Sequence, residues 1–360
     1  MTTGTGSDVM STVFSPGAEV PFPTASPSRG GTRTASSTGV AGTIDERPAV
    51  RESNRRVVGP ASVVITCFSQ RRWRQLTAAI DSVLAQRMLP SEVIVVVDHN
   101  DELMSRVLRR CPDVTVLANR FERGASGARN TGAVHARAPI VAFLDDDATA
   151  EPDWLELLLE CFDDESVVGV GGGVTAAWAG GQPGWFPDEF GWVIGASYRG
   201  MPDGVAEVRN VWALNMAVRT DKFLAAGGFR LGFGKVGNLS RPEDTELCIR
   251  MMRAGGRWRY VPAARVAHHV PAERSTFRFF VRRCFVEGGG KAALGALVRA
   301  SPLDPERAYL RTVISQGISR HLREAARSRR LLPAARAGVI VAGVASAGVG
   351  YAHGRLSALV

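Results

Sequence analysis

The sequence predicts an α/β fold: a mostly parallel sheet with flanking helices, followed by a C-terminal helical region. Three observations predict it. Apolar, β-branched segments alternate with segments of helical spacing from Ala61 to Val174. The strand segments read as near-continuous apolar runs, as burial on both faces requires. Three of them end in Thr66, in Asp98 and in the trio Asp145, Asp146 and Asp147, along the sheet edge where open α/β folds bind ligands.

Taken in order, "ASVVITC" from Ala61 is the first strand and "WRQLTAAIDSVLAQ" the first helix. "SEVIVVVDHN" is a strand and "DELMSRVLRRC" a helix; "DVTVLA" is a strand and "SGARNTGAVHARA" a helix. "PIVAFLDDD" is the fourth strand, "EPDWLELLLECF" the next helix and "SVVGVGGGV" the fifth strand. A Trp- and Gly-rich stretch over 178–212 breaks the alternation. A helix near Asp221, a helix from Glu243 and short strands around Tyr260 and Val266 follow, then mostly helix from Ser275.

The 360 residues are 45% apolar, enough for a substantial core. Five scattered cysteines, odd in number and without a CxxC pair, argue against a disulfide framework or a zinc site and fit a reducing compartment. The net charge of +9 is concentrated: Pro271 to Arg336 holds 14 Lys/Arg against 5 Asp/Glu. Such a patch suits nucleic acid, an anionic membrane surface or phosphorylated substrates, or is a solvated helical face.

Four regions are expected. Residues 1–58, dominated by Ser, Thr, Gly and Pro, read as disordered. Residues 59–270 form the α/β domain, 271–336 a basic helical extension and 337–360 an apolar Gly/Ala-rich helix. No signal-peptide pattern opens the chain, so a cytoplasmic protein is expected. The uncharged stretch Ala337–Ala352 is shorter than the ~20 residues of a spanning helix. It reads as a membrane-surface or protein-packed helix in preference to a span.

Dinucleotide binding is the default for such a fold, but no GxGxxG follows the first strand, which runs into "CFSQRRW". "GGGKA" at 288–292 lacks the P-loop spacing. In the acid trio each unscreened pair of carboxylates costs roughly 1–4 kcal/mol, which a cation would relieve. Strand alternation lets Asp145 and Asp147 share a face, with Asp146 opposed. With diphosphate oxygens they make a hard-oxygen shell for Mn2+ or Mg2+. The other reading is a turn and capping cluster ahead of the "EPDW" helix.

Ser126 reads as a helix N-cap with Arg129 in the first turn, where an anion is favoured. In "SRPEDTELCIR", Ser240 and Glu243 have capping-box spacing with Pro242 in the first turn, which occupies Glu243 and leaves Asp244 freer. Glu246 and Arg250 form an i,i+4 pair, and Leu247 and Met251 a buried stripe.

"VVITCFSQRRWRQLTAAIDSVLAQ", "VIVVVDHND", "GASGARNTGAVHARAPIVAFLDDDA" and "RPEDTELCIRMMRAGG", in that order, resemble a family 2 glycosyltransferase of the GT-A fold over residues 61–290. The resemblance implies a Rossmann-like nucleotide-sugar fold and inverting, hexosyltransferase-like, metal-dependent transfer. Thr66 and Asp98 match positions that contact the nucleotide base, although Asp98-His99-Asn100-Asp101 stands where many members read DDGS. Arg129 matches a position approaching the nucleotide. Asp145 and Asp147 match the metal-binding acids, and Asp146 a contact to the donor ribose or sugar. Asp244 matches the usual base, with Glu243 the alternative. A histidine after the strand near Val266 can reach the metal or diphosphate, and position favours His268 over His269; a structural histidine is the competing reading. Trp212 and Asn215 resemble an acceptor-side segment. Trp185, Trp192 and Trp212 suit sugar stacking or core packing equally.

"FRFFVRRCFVEGGGK" mixes Phe277, Phe280 and Phe285 with Arg278, Arg282 and Arg283, a basic amphipathic pattern. The expected partners are a nucleotide-diphosphate sugar donor, a sugar or lipid-linked acceptor and an anionic membrane surface, with no nucleic acid. The expected place is peripheral, at the inner face of the plasma membrane, in cell-surface or extracellular polysaccharide or glycoconjugate synthesis. The competing readings are a nucleotidyltransferase, which lacks its Gly-rich start here, and a non-catalytic membrane- or nucleic-acid-binding protein.

Overall fold

The computed structural model describes residues 57–236, 239–298 and 309–357. The segment expected to be disordered, 1–58, lies outside the described residues except for β1 (Val57–Val58). That strand pairs in parallel with β3 (Met88–Leu89) beside the main sheet.

The main sheet uses β2 (Ala61–Cys67), β4 (Glu92–Val97), β5 (Thr115–Ala118), β6 (Ile140–Asp145), β7 (Ala148–Ala150), β8 (Val167–Trp178), β9 (Ala206–Val208), β10 (Asn215–Arg219) and β13 (Arg257–Val270). Its order is β5-β4-β2-β6-β10-β8-β13-β7, with β9 on β13. The first four strands are parallel, as expected. β10, which the sequence reading left without a strand, runs antiparallel to both β6 and β8. The two strands expected around Tyr260 and Val266 are one 14-residue strand, β13, with a register shift between Val261 and Val266.

The glycines of β8 make this junction feasible. A Cβ on Gly169 would lie 2.2 Å from the Trp258 ring, and one on Gly172 2.0 Å from the Ala264 carbonyl. Glycine inside a strand here permits close approach of the bulged neighbour.

The helices follow their apolar spacing. α1 (Trp73–Leu84) buries Leu76, Ala79, Ile80 and Val83 against the sheet. α2 (Asp101–Arg110) is capped by Asn100, whose side chain accepts from Leu103 N at 3.0 Å. Its first turn is acidic and its last turn basic, which complements the helix dipole. α3 (Ala125–His135), α4 (Trp154–Leu159), α5 (Thr220–Ala225) and α6 (Glu243–Arg253) complete the domain. A short hairpin, β11 (Gly234–Val236) and β12 (Leu239–Arg241), precedes α6.

The C-terminal part is α7 (Phe277–Val298), α8 (Ser315–Ser328) and α9 (Leu331–Ser357). It packs on the α/β domain through the stretch over 186–196: Phe186, Phe190, Ile194, Val270, Phe280, Ile314 and Ile340 share one buried cluster. Arg320 on α8 donates to the fully buried Glu189 at 2.6 Å. α9 is 27 residues long, so the 16-residue apolar stretch is the middle of a longer helix, one long and apolar enough to cross a membrane.

Candidate functional site

β2, β4 and β6 end level with one another: Thr66 pairs with Val96 on one side and Asp145 on the other. Asp98 follows β4. Its Oδ2 accepts from Gly124 N at 2.9 Å, while Oδ1 accepts from Asn119 Nδ2 at 2.7 Å and lies 2.8 Å from His99 Nδ1. Asp98 therefore braces the entrance to α3. That entrance turns at Gly124 with φ of 136°, a conformation that favours glycine. His99 itself takes a left-handed φ of 51°.

Gly124, not Ser126, caps α3. Ser126 lies inside the helix and donates to the Phe233 carbonyl at 2.9 Å. Arg129 is accordingly in the second turn rather than the first. Its side chain is buried, with Nη2 2.6 Å from Asp145 and Nη1 3.1 Å from Glu243. Burial opposes its charge, but these carboxylates outweigh burial and raise its pKa above the usual arginine value.

Strand alternation does not reach across the acid trio, because β6 ends at Asp145 and the chain turns at 146–147. Asp145 faces Arg129, while Asp146 and Asp147 share Arg72 Nη1 at 2.7 and 3.0 Å. Arg274 Nη2 adds a contact to Asp147 at 4.0 Å. Protein cations thus offset much of the carboxylate repulsion. Burial still pushes Asp146 up to about 7, against the pull of Arg72. In Asp147 burial is outweighed by His268, Arg72 and Arg274, which hold it down to about 2.

His268 is buried with Nε2 3.5 Å from Asp147 Oδ1. Its Nδ1 is buried and has no hydrogen-bond partner. β13 and β7 bring it there: His268 pairs with Ala148, and His269 N donates to the Asp147 carbonyl at 2.8 Å. The Asp147 carboxylate is a hard-oxygen donor of the kind Mn2+ and Mg2+ take, and the His268 imidazole beside it is a nitrogen donor better suited to a transition ion such as Mn2+ than to Mg2+. Among the described residues no group of three His, Cys, Asp or Glu is gathered. An ion held by this pair would need further oxygen donors from outside the protein.

Pro242, not Ser240, precedes the first turn of α6, and no side chain caps it; Ser240 belongs to β12. Glu243 is occupied by Arg129 and not by a capping box. Asp244 Oδ1 accepts from Thr245 N at 2.6 Å. Burial, then the neighbouring Glu243 charge, pushes the Asp244 carboxyl up to about 7. Glu246 is buried between Arg230 and Arg250 at 3.1 and 2.5 Å, a structural ion cluster.

Of the two expected acceptor-side residues, Asn215 is bonded within the sheet. Asn215 is buried; it accepts from Trp154 Nε1 at 2.7 Å and donates to the carbonyls of Gly173 and Ala264 at 2.9 and 3.0 Å. It ties β10 to the β8–β13 bulge. Trp185 packs edge-on to Phe277 and Phe280 of α7, and Trp192 packs on Phe190 and donates to the Tyr309 hydroxyl at 3.4 Å. Trp212 is half-buried, 6.1 Å from the Tyr198 ring. The sequence reading missed Arg72 and Arg274. The signal for Arg72 was "CFSQRRW" itself, where Ser69 caps a 3-10 turn at the strand end and aims the arginine at the trio. Arg274 had no local signal, since only the packing of the turn Ala272–Ser275 brings it near.

The family model for glycosyl transferase family 2 matches residues 62–223. The chain is 33% identical over 302 residues to a glucosyl-dolichyl phosphate glucuronosyltransferase of Haloferax volcanii, covering 82% of this chain and 96% of that protein. It is 31% identical over 183 residues to the pre-mycofactocin glycosyltransferase of Mycobacterium tuberculosis, covering 51% of this chain but 37% of that one. The structure of a mannosyltransferase from Pyrobaculum calidifontis in complex with GDP-Man and Mn2+ superposes with a TM-score of 0.50 at 16% identity, over 82% of this chain and 90% of that one. This last likeness concerns the fold. With the GT-A sheet, the acid trio at its edge and relatives of this extent, the chain belongs to glycosyl transferase family 2.

Proposed function

We propose that this glycosyltransferase moves a sugar from a nucleotide-diphosphate sugar to an acceptor hydroxyl with inversion, using a divalent ion. One observation carries the reading: Arg129 joins Asp145 to Glu243, residues far apart in the chain, so the acid trio and the Asp244 segment border one site.

Thr66 and Asp98 border the nucleotide base, and Asp146 the ribose or sugar. Asp147 and His268 are the residues that would hold Mn2+ or Mg2+, while Asp145, the other acid expected there, is engaged by Arg129. The ion's contribution is Lewis-acid neutralisation of charge on the departing diphosphate. Arg129, Arg72 and Arg274 supply fixed positive charge at the same edge, which favours charge development in the transition state. Asp244 takes the proton from the acceptor hydroxyl as that oxygen attacks the anomeric carbon from the face opposite the leaving group. A carboxyl pushed up to about 7 is matched to that task near neutral pH. Glu243, held by Arg129, is the weaker candidate.

The acceptor is a sugar or a lipid-linked sugar, and the product belongs to cell-surface glycoconjugate synthesis at the cytoplasmic face of the membrane. The Haloferax relative is named for a glucosyl-dolichyl phosphate, which supports a lipid-linked acceptor. The test is a thermal-shift screen of sugar nucleotides with Mn2+. A true donor at a hundred times its Kd adds about 2.7 kcal/mol. If no sugar nucleotide shifts the midpoint with or without the ion, the reading fails.

A further inference from the structure

We propose that the outer face of α7 and α9 docks flat on an anionic phospholipid bilayer, its groove seating one acyl chain beneath a phosphate held by Arg278 and Arg282. This inference stands apart from the catalytic reading, because it concerns a different surface and its test reads partition.

The groove between the two helices has a volume of about 460 Å3 and is lined by Phe277, Arg278, Val281, Arg282, Phe285 and Ser346. Among the described residues that line it none is acidic. The Ser346 hydroxyl is turned inward, donating to the Val281 carbonyl at 2.8 Å. Phe277 and Phe285 are large and exposed, as are Val341, Val349 and Leu356 along α9. Between Ala337 and Ala352 α9 carries no charge at all. An apolar floor with an arginine rim matches a lipid: hydrocarbon below, phosphate above.

The same packing decides that α9 lies on the bilayer and does not cross it. Ala337, Ile340, Gly343 and Gly350 form its buried stripe. A Cβ on Gly343 would meet the Phe190 ring at 2.6 Å, and one on Gly350 the Phe285 carbonyl at 2.0 Å. α9 is thus seated on the catalytic domain at one end and along α7 at the other. Over that length α7 carries the ion ladder Arg283–Glu287–Lys291, at 2.8 and 3.6 Å. A crossing α9 would draw these charges into hydrocarbon, where each is strongly disfavoured.

The experiment is flotation of the full chain with phosphatidylcholine vesicles and with phosphatidylcholine/phosphatidylglycerol vesicles. Expected are binding to the anionic vesicles, binding to the neutral ones weaker by about tenfold or more, and release by alkaline carbonate. Arg278→Gln with Arg282→Gln, and separately Val341→Asp, should each lower partition on the order of tenfold at an unchanged thermal midpoint. The arginine pair decides alone if Val341→Asp does not fold. Absence of vesicle binding, equal affinity for both vesicle types, or undiminished binding of the arginine pair overturns the proposal. Carbonate-resistant insertion overturns the flat posture. A dimer in light scattering that Val341→Asp dissociates shows a second copy on this face and overturns it too.

Discussion

Arg129 donates to Asp145 at 2.6 Å from a buried position, and its other nitrogen reaches Glu243 at 3.1 Å. One guanidinium fork therefore links the end of a parallel strand to the first turn of a helix about a hundred residues later. Removing one partner of a buried pair leaves uncompensated charge, at a cost of about 3–5 kcal/mol. Arg129→Leu should lower the urea midpoint accordingly. Arg129→Lys, which keeps the charge but loses the planar fork, should fall between it and wild type. Equal stability of all three would show that the bridge contributes nothing.

Asp244→Asn should lower kcat by roughly 10²–10⁴, the range for a lost general base, and leave donor affinity nearly intact by thermal shift. Glu243→Gln should instead disturb stability through Arg129. Full turnover in Asp244→Asn would remove it as the base.

The raised Asp244 carboxyl makes two pH predictions. A base must be unprotonated, so kcat should drop as pH falls below about 7. For stability the sign is opposite to the usual carboxylate. The folded value lies above the unfolded ~3.9, so its stabilising contribution is complete below pH ~4 and is lost as pH rises through about 7. Asp244→Asn should therefore raise Tm at pH 8 by an amount worth on the order of 1 kcal/mol, discounted for partial solvent access. That gain should vanish near pH 4. Parallel Tm–pH curves for the two proteins would contradict the assignment.

His268→Gln and Asp147→Asn should each abolish any Mn2+-dependent part of the donor-induced thermal shift. His269→Gln should not, because His269 contributes its backbone N–H to Asp147. A donor-induced shift insensitive to EDTA in the wild-type protein would remove the ion from the site.

Gly350→Ala and Gly338→Ala make a paired test of the helix packing. A Cβ at Gly350 would sit 2.0 Å from the Phe285 carbonyl oxygen, whereas one at Gly338 meets nothing within 4 Å. The first should cost about 1–3 kcal/mol by forcing α7 and α9 apart. The second should gain up to about 1 kcal/mol from helix propensity. Chemical denaturation of the two variants separates the outcomes.

The parallel half of the sheet was legible because β2, β4 and β6 are buried on both faces and bounded by helical spacing, and the half-exposed edge strand β5 still carries an apolar run. β10 was not. "NMAVR" is only five residues, and its direction depends on pairing with β6 and β8, which no local pattern records. Asn215 was read as an acceptor-side residue because "NVWALNMAV" resembles such a segment. Its burial follows from a bulge in β13 that only the folded sheet creates.

By itself the sequence determined the fold class, the polar ends of three strands and the family, since burial periodicity and motif order are local or ordered along the chain. The tertiary structure alone decided which charges meet. Arg72, Arg129 and Arg274 converge on three aspartates from separate elements, and the turn after Asp145 splits the trio between them. Electrostatic partners are chosen by distances of a few ångströms in three dimensions, and sequence spacing carries no record of those distances.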